Sequence, residues 1–409
     1  MQTAAAVNGT TATAPQLQVP GRDELVARAA GLRARLWEDA AESDRERRLT
    51  AGSVAALTDA GLMRLMTPRR LGGYEADIRT LLEVASEVGR GCGSAAWVTG
   101  VLNAGNFVAS LFPREVQDEV WSLNADARTA LVLGMPARGV EHVDGGVRIT
   151  GEWGYVSGSL HADWVGVLVA VPTESGEAVV HFALMRADEV EIKDTWHFAG
   201  MRGTGSNTVV ATGVFVPERR LLPYAPLLNG ETDGLVDPAN RYRNSLVGLF
   251  SIGLLGSLIG GATAAFDFVR AAAPNRPAAG SKFPNQAESP TLQLDLAEAA
   301  TKIETAKLLA AKIADTADEA AYAGEFADVL TRAAARQNST RVAQLCREAV
   351  DLLMTAYGSS AFSETNPLQR IWRDVNVGSR HAGFGMGIPA QLYGRALVGK
   401  DPRDISLLV

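Results

Sequence analysis

Cysteine is scarce in this sequence of 409 residues, and its two cysteines lie far apart. Cys92 and Cys346 form no C-x-x-C pair, which argues against a disulfide framework and against a zinc site. Histidine is also scarce, and none of the five histidines is paired with another at the spacing of metal ligands. We therefore expect no metal site, and a protein of the reducing cytoplasm.

Positive charge is not in excess either. The 39 lysines and arginines are outnumbered by 46 aspartates and glutamates, which leaves a formal net charge of -7. A nucleic-acid-binding surface needs a basic excess to neutralise phosphates, so nucleic acid is not an expected partner. The first twenty residues have neither a basic segment nor an apolar one, so we do not expect them to act as a signal peptide. We expect residues 1–21 to form a disordered tail.

Long hydrophobic runs are rare, and one uncharged run stands out, from Asn244 to Phe266. It is long enough to span a bilayer as a helix. It also contains five glycines, and no second comparable segment accompanies it. These features favour a helix buried on all sides inside a bundle, with no membrane as partner, although length alone leaves both interpretations open.

The pattern of apolar residues changes twice along a chain whose hydrophobic content, 47%, is typical of globular proteins. Residues 22–128 repeat apolar positions at helical spacing. Residues 129–222 form short β-branched runs separated by turns, and helical spacing returns in residues 223–409. Helices and strands segregated in this way predict an α+β fold, mainly α, with an N-terminal helical domain, a small β-domain and a C-terminal helical domain.

The common motifs of hydrolases and nucleotide-binding proteins are absent: no G-x-S-x-G, no H-E-x-x-H, no P-loop and no G-x-G-x-x-G before a helix. Two clusters remain in the β-domain. The first surrounds Tyr155, Ser157, Ser159 and His161, and forms either a turn or an aromatic and hydroxyl wall for a planar ligand. The second contains Arg202, Thr204 and Ser206 among glycines, and forms either a plain turn or an anion-binding loop.

A third cluster follows in the last part of the chain, with a glycine turn at 358–361, a helix at 366–374 and His381 beyond it. Salt bridges to a neighbouring element explain the arginines and Asp374 of that helix. His381 differs, since the adjacent glycines and Phe384 suit a ligand site.

Taken together, the three clusters resemble the acyl-CoA dehydrogenase fold, and more narrowly its oxygen-using branch, the two-component flavin-dependent monooxygenases. The resemblance extends from about Asp23 to Leu397, and the segment from Asn366 to Asp374 carries it most strongly. It implies an N-terminal helical domain, a middle β-barrel or sandwich domain and a C-terminal four-helix bundle.

Two departures separate this chain from the dehydrogenases of the resemblance. Most dehydrogenases have a catalytic carboxylate directly after the position of His381, where this chain has Ala382, and the alternative position near Phe250 offers no acid. Without a base, the proton next to a thioester cannot be removed. The glycine turn and Arg276 only partly match the element that holds the adenylate half of FAD. The resemblance therefore implies reduced FMN or FAD, bound transiently, together with O2.

The resemblance also assigns roles to residues. Ser157 matches the hydroxyl at flavin N5, and His381 matches a histidine that deprotonates a phenolic substrate or steadies the peroxide, so these two are the predicted catalytic residues. Ser359 matches a hydroxyl in the same pocket, and Arg276 reaches across a subunit interface. The complete set of predicted cofactor contacts is Tyr155, Ser157, Ser159, Arg202, Thr204, Ser206, Arg276 and Ser359. The predicted substrate pocket consists of Trp97, Gly105, His161, Phe250 and Phe384, with Gly105 opening it to a bulky substrate.

The function implied by the resemblance is hydroxylation of an aromatic or polyketide-like small molecule through a hydroperoxide at flavin C4a. A separate NAD(P)H flavin reductase would supply the reduced flavin, and the oxygenase would form a homotetramer in the cytoplasm. Two alternatives stay open: N-oxygenation of an amino sugar on the same fold, and acyl-CoA dehydrogenation.

Overall fold

The computed structural model describes residues 19–236, 246–385 and 387–409, with side chains in the helix that begins at Leu246 described from Ser251 onward. Residues 1–18 of the expected tail lie outside the described residues. Helices form the first part of the chain and are joined by turns and loops. They are α1 (Arg22–Gly31), α2 (Arg33–Glu46), α3 (Ala51–Asp59), α4 (Ile78–Gly91), α5 (Gly93–Ala109) and α6 (Arg114–Trp121).

Strands occupy the middle of the chain and form two four-stranded sheets. The strands are β1 (Thr129–Leu131), β2 (Gly139–Val143), β3 (Gly146–Val156), β4 (Trp164–Pro172), β5 (Ala178–Arg186), β6 (Glu191–Lys193), β7 (Asn207–Pro217) and β8 (Leu221–Pro223). One sheet has the order β1-β4-β5-β8 and the other has the order β2-β3-β7-β6. All the pairings are antiparallel except that of β1 with β4.

Helices return after the sheets: α7 (Tyr224–Asn229), α8 (Leu246–Ala272), α9 (Pro290–Ala323), α10 (Val329–Tyr357), α11 (Pro367–Gly378) and α12 (Ile388–Leu397). Side chains at the N-termini cap several helices and so fix the residue at which each helix begins. Asp77 accepts a hydrogen bond from the Thr80 N–H at the start of α4, and Asp328 accepts one from the Thr331 N–H at the start of α10. The predicted α+β fold, mainly α, is confirmed, while the division into separate domains stays a prediction.

From Leu246 onward the uncharged run forms most of α8, which lies at the centre of the helical packing. Most of its described residues are buried, although the helix is long and apolar enough to cross a membrane. Its glycines bring the backbones of neighbouring helices together. A Cβ atom at Gly253 would lie 2.8 Å from the Cα of Gly100 in α5, and one at Gly260 would lie 2.6 Å from the Cα of Gly89 in α4. The glycines of α8 therefore serve helix packing inside the protein core.

Candidate active site

A β-bulge in β3 creates the first part of the site. The register between β3 and β7 shifts between Trp153 and Val156. At the bulge, Tyr155 has a φ of 64°, a left-handed conformation that is uncommon for a residue other than glycine. The Ser157 N–H donates to the Tyr155 carbonyl over 2.9 Å, and the Ser157 side chain is 8% exposed. Bulges redirect side chains next to active sites, and this one places Ser157 in the interior.

A loop between β6 and β7 forms the second part and is organised around Met201, whose φ is 52°. The Met201 N–H donates to a carboxylate oxygen of Asp374 in α11 over 2.5 Å. Its carbonyl oxygen accepts three hydrogen bonds, from Trp196 Nε1 over 2.8 Å, from Thr204 Oγ1 over 2.7 Å and from the Thr204 N–H over 3.2 Å. Both backbone polar groups of Met201 are thus engaged, which holds the loop against α11.

Three buried hydroxyls connect the two parts, and we call Thr204, Ser206 and Ser157 the hydroxyl relay. The Oγ atoms of Thr204 and Ser206 are 2.7 Å apart, and those of Ser206 and Ser157 are also 2.7 Å apart. At the far end, Trp97 Nε1 in α5 donates to Ser157 Oγ over 3.3 Å. A continuous hydrogen-bond chain therefore runs from the Met201 carbonyl to the indole of Trp97.

Backbone contacts hold the bulge, the loop and α5 together around the relay. The Gly158 N–H donates to the Thr204 carbonyl over 3.0 Å. Gly158 has a φ of 75°, and a Cβ atom there would lie 3.2 Å from Leu102 and 3.3 Å from Val98. A side chain at this position would combine backbone strain with crowding against α5, so glycine allows the close approach.

His381 follows α11, and its ring lies against the Trp97 indole. The centroids of the His381 and Trp97 rings are 5.6 Å apart in an edge-on arrangement, and Phe384 lies 5.9 Å from His381 in the same way. The ring of His381 keeps an accessible surface but is surrounded by enough protein that desolvation lowers its pKa to about 4. The imidazole is therefore neutral at pH 7. Its Nδ1 accepts the Gly383 N–H over 3.2 Å, which leaves the proton on Nε2.

Aromatic rings cover the bulge from the solvent side. Tyr155 is 66% exposed, and its ring lies edge-on to Trp196 at 5.8 Å and to Phe198 at 5.9 Å. Trp196 and Phe198 stack on each other at 3.9 Å. Ser159, four residues after Tyr155 in the chain, is 1% exposed, and its Oγ makes no hydrogen bond to any described residue. An exposed aromatic surface beside an unsatisfied buried hydroxyl fits a planar ligand with polar edges, as a flavin ring is.

Arg202 points toward protein atoms of its own surroundings. Its Nε donates to the Asp44 carbonyl over 2.9 Å, and its Nη1 donates to the Phe198 carbonyl over 3.2 Å. The neighbouring Asp44 carboxylate also pairs with Arg373 at 2.8 Å. The structure therefore gives Arg202 an evident role in holding the loop to α2, and its expected contact with the flavin stays a prediction.

Arg276 and Ser359 are not brought together with the other predicted residues. Arg276 donates to the Tyr357 carbonyl over 2.9 Å and to Ser360 Oγ over 2.8 Å, and its guanidinium lies 3.6 Å from the centre of the Tyr357 ring. The Tyr357 ring lies 5.7 Å from the ring of Phe268, near the C-terminal end of α8. Leu258, which packs beside Gly378 near His381, is fourteen residues, or about 21 Å, from that end. Ser359 precedes α11 whereas His381 follows it, and the place of Ser359 in the same pocket stays a prediction.

The expectation that Gly105 opens the substrate pocket is also wrong. Gly105 is buried in α5, and a Cβ atom there would lie 1.8 Å from the carbonyl oxygen of Thr129 in β1. The missing side chain is replaced by strand backbone, which leaves no room for a ligand. Gly105 therefore serves the packing of α5 on β1.

His161 and Phe250 complete the predicted set. His161 ends the short 3-10 turn Ser159–His161, and its pKa is lowered to about 4 by burial and by the charges of Arg48 and Arg128. No contact within the described part of the chain joins its ring to Trp97 or His381, so a place in the pocket stays a prediction. Phe250 belongs to α8, but its side chain lies outside the described residues.

Two groups essential to this geometry could not be identified from the chemistry of the side chains in the sequence. The Met201 carbonyl anchors the relay, and a backbone oxygen leaves no signal in a sequence. Asp374 was recognised only as a member of a charged helix, yet it is 5% exposed and holds the Met201 N–H. The one available signal was its acidic character on an otherwise apolar helix face.

Comparison with known proteins supports the same interpretation. The profile of the acyl-CoA dehydrogenase N-terminal domain matches residues 24–121, and that of the C-terminal domain matches residues 252–385. The oxygenase component of FADH2-dependent resorcinol hydroxylase from Rhizobium sp. (strain MTP-10005) is 32% identical over 411 residues, which cover 95% of this chain and 98% of the relative. The oxygenase subunit HsaA of a flavin-dependent monooxygenase from Rhodococcus jostii is 32% identical, covering 90% of this chain and 97% of the relative.

Solved structures agree with the sequence comparison. XiaF from Streptomyces sp., in complex with FADH2 and glycerol, matches with a TM-score of 0.87 and 34% identity, covering 93% of this chain and 96% of that chain. The HsaA monooxygenase from M. tuberculosis matches with a TM-score of 0.87 and 27% identity, covering 95% of this chain and all of that chain. The chain therefore belongs to the acyl-CoA dehydrogenase family. Within it, the chain is a flavin-dependent monooxygenase, as the resemblance predicted.

Proposed function

We propose that this chain is the oxygenase component of a two-component system that hydroxylates an aromatic or polyketide-like small molecule. A separate NAD(P)H flavin reductase supplies reduced flavin, and O2 is the second substrate. The carrying observation is that the hydroxyl relay and His381 both contact Trp97, Ser157 through Nε1 at 3.3 Å and His381 through its ring at 5.6 Å. The Trp97 indole thus contacts both the buried Ser157 hydroxyl and the neutral His381 imidazole.

Ser157 and Ser159 would hold the flavin ring, with Tyr155 against its face. When bound, the reduced flavin supplies the electrons that activate O2. Ser157 accepts a hydrogen bond from the flavin N5–H and so retains that proton, while the buried relay keeps water away from it. Ser159 Oγ, which makes no hydrogen bond to a described residue, is available to a second polar atom of the ring edge.

His381 would act on the substrate. Because its pKa is lowered to about 4 and its Nδ1 accepts the Gly383 N–H, the group it presents is a neutral Nε2–H. That group would donate a hydrogen bond to the oxygen of a substrate bound as its phenolate, which stabilises the ionised form whose ring carbon is nucleophilic. A carboxylate for dehydrogenation is missing from the next position, which is Ala382.

Reduced FAD is the flavin we propose, since the resorcinol hydroxylase relative is named for FADH2 and the XiaF structure contains it. Arg276 contacts Tyr357, whose ring packs on Phe268. Phe268 lies ten residues, or about 15 Å, along α8 from Leu258, which packs beside Gly378 near His381. Arg276 and Ser359 would therefore serve the adenylate half of a flavin whose ring occupies another subunit. This arrangement requires an oligomer, and we propose a homotetramer in the cytoplasm.

The test is a coupled assay with an NADH-driven flavin reductase, FAD, O2 and a panel of resorcinol-type phenols, with the product identified by mass spectrometry. The His381→Ala variant should lose most of the product while it still binds reduced flavin and consumes NADH. Its matched control is His142→Ala, because His142 is exposed in β2 and its ring contacts the Pro172 carbonyl rather than Trp97. Unchanged product formation by the His381→Ala variant would contradict the proposed role, and failure of the wild type to bind reduced flavin would contradict the proposed function.

A further inference from the structure

The two ends of the hydroxyl relay are chemically fixed. At one end the Met201 carbonyl oxygen can only accept a hydrogen bond, and it accepts from Thr204 Oγ1 over 2.7 Å. At the other end the Trp97 indole can only donate, and it donates to Ser157 Oγ over 3.3 Å. The three hydroxyls between them have one proton each.

These ends determine the direction of every hydrogen bond between them. The Thr204 proton is given to Met201, so Thr204 Oγ1 must accept from Ser206. The Ser206 proton is then used, so Ser206 Oγ must accept from Ser157. The Ser157 proton is therefore directed into the relay, away from any ligand. A ligand atom that meets Ser157 Oγ finds a lone pair and must itself be a donor.

The surroundings keep this order in place. Thr204, Ser206 and Ser157 are 1%, 4% and 8% exposed, so bulk water does not offer alternative partners. The Met201 carbonyl also accepts from Trp196 Nε1, and the Met201 N–H is held by Asp374, so the anchor itself is immobile on both sides. Reversing the relay would leave Thr204 Oγ1 and the Met201 carbonyl oxygen 2.7 Å apart with no proton between them, which is unfavourable.

We propose that the hydroxyl relay makes this site select reduced flavin over oxidised flavin. The inference rests on the proposed function, in which flavin N5 meets Ser157. In reduced flavin N5 carries a proton and donates, whereas in oxidised flavin N5 has a lone pair that would face the lone pair of Ser157. Thr204 and Ser206 are thus positioning residues that act through Ser157, and they help oxidised product leave after each turnover.

The experiment compares the dissociation constants of reduced FAD, measured under strictly anaerobic conditions, and of oxidised FAD by equilibrium titration. In the Thr204→Val variant, Ser206 loses its acceptor and can turn to donate to Ser157. With Trp97 also donating, Ser157 then has both lone pairs occupied and directs its proton at the ligand. The ratio of the oxidised to the reduced dissociation constant should fall by about tenfold, the effect of one hydrogen bond.

The Thr204→Ser variant is the matched control, because it keeps the hydroxyl and should keep the wild-type ratio. Ser206→Ala provides a second break in the relay should the Thr204→Val protein not fold, as judged by circular dichroism. A uniform loss of affinity for both redox states, with an unchanged ratio, would overturn the inference. Absence of reduced-flavin binding by the wild type would instead overturn the proposed function, so the two failures are distinguishable.

Discussion

Replacing Asp374 by asparagine should change how the stability of this protein depends on pH. Asp374 is 5% exposed where α11 meets the loop of Met201, and Gly93 of α5 lies against it. Burial raises the pKa of its carboxyl from the ordinary value of 3.8 to about 6, and repulsion by Asp44 adds to the rise. The Met201 N–H and the charges of Arg373 and Arg370 act in the opposite direction.

The sign follows from proton linkage. Since the pKa is higher in the folded protein, the folded state holds the proton more tightly than the unfolded chain does. The contribution of Asp374 to stability is therefore fully present below pH 3.8 and is lost as the pH rises through about 6. Two pKa values that differ by about two correspond to about 3 kcal/mol of unfolding free energy.

The assay is urea unfolding followed by tryptophan fluorescence, for wild type and the Asp374→Asn variant, at several pH values between about 4 and 7. The stability of wild type relative to the variant should decrease across this interval by up to about 3 kcal/mol, because the amide has no proton to lose. Asp233→Asn changes an exposed aspartate and serves as the control. Parallel pH curves for wild type and the Asp374→Asn variant would refute the reasoning.

Two further predictions concern packing and the flavin. Gly105→Ala should lower the free energy of unfolding by about 1–3 kcal/mol, since its Cβ would meet the Thr129 carbonyl oxygen in β1. The control is Gly394→Ala in α12, where a Cβ atom would have no neighbouring atom within 4 Å. Equal urea midpoints for the two variants would contradict the close packing at Gly105. Arg276→Ala should weaken binding of reduced FAD but not of reduced FMN, which lacks the adenylate, in anaerobic titrations. An equal loss of affinity for both flavins would contradict a contact between Arg276 and the adenylate and would leave Arg276 only a structural role.

Much of the architecture was predictable from local pattern. Helical and strand periodicity located the helices, the strands and the return to helices, because these periods depend on neighbours a few residues apart. The uncharged run was correctly expected to be a buried helix, and its glycines now have a reason in the contacts with Gly100 and Gly89. Ser157, Trp97, Phe384 and His381 were identified as site residues, and the structure brings these four together.

The expectation for Gly105 failed for a reason that a sequence does not display. A glycine can leave space or can admit a neighbour's backbone, and only the approach of Thr129 distinguishes the two. Arg276 was expected to reach across a subunit interface, and within its own chain it contacts Tyr357 and Ser360, near the C-terminal end of α8. Which residues lie close together in space depends on how the helices pack, and the sequence does not show that packing.

The sequence by itself determined which groups are available: hydroxyls at 157, 204 and 206, an indole at 97 and an imidazole at 381. Only the tertiary structure decided their order and their protonation. Asp374 reaches Met201 across 173 residues of chain, and the Met201 carbonyl then sets the direction of every hydrogen bond as far as Trp97. A hydroxyl can donate or accept, and which it does depends on the partner that folding places beside it.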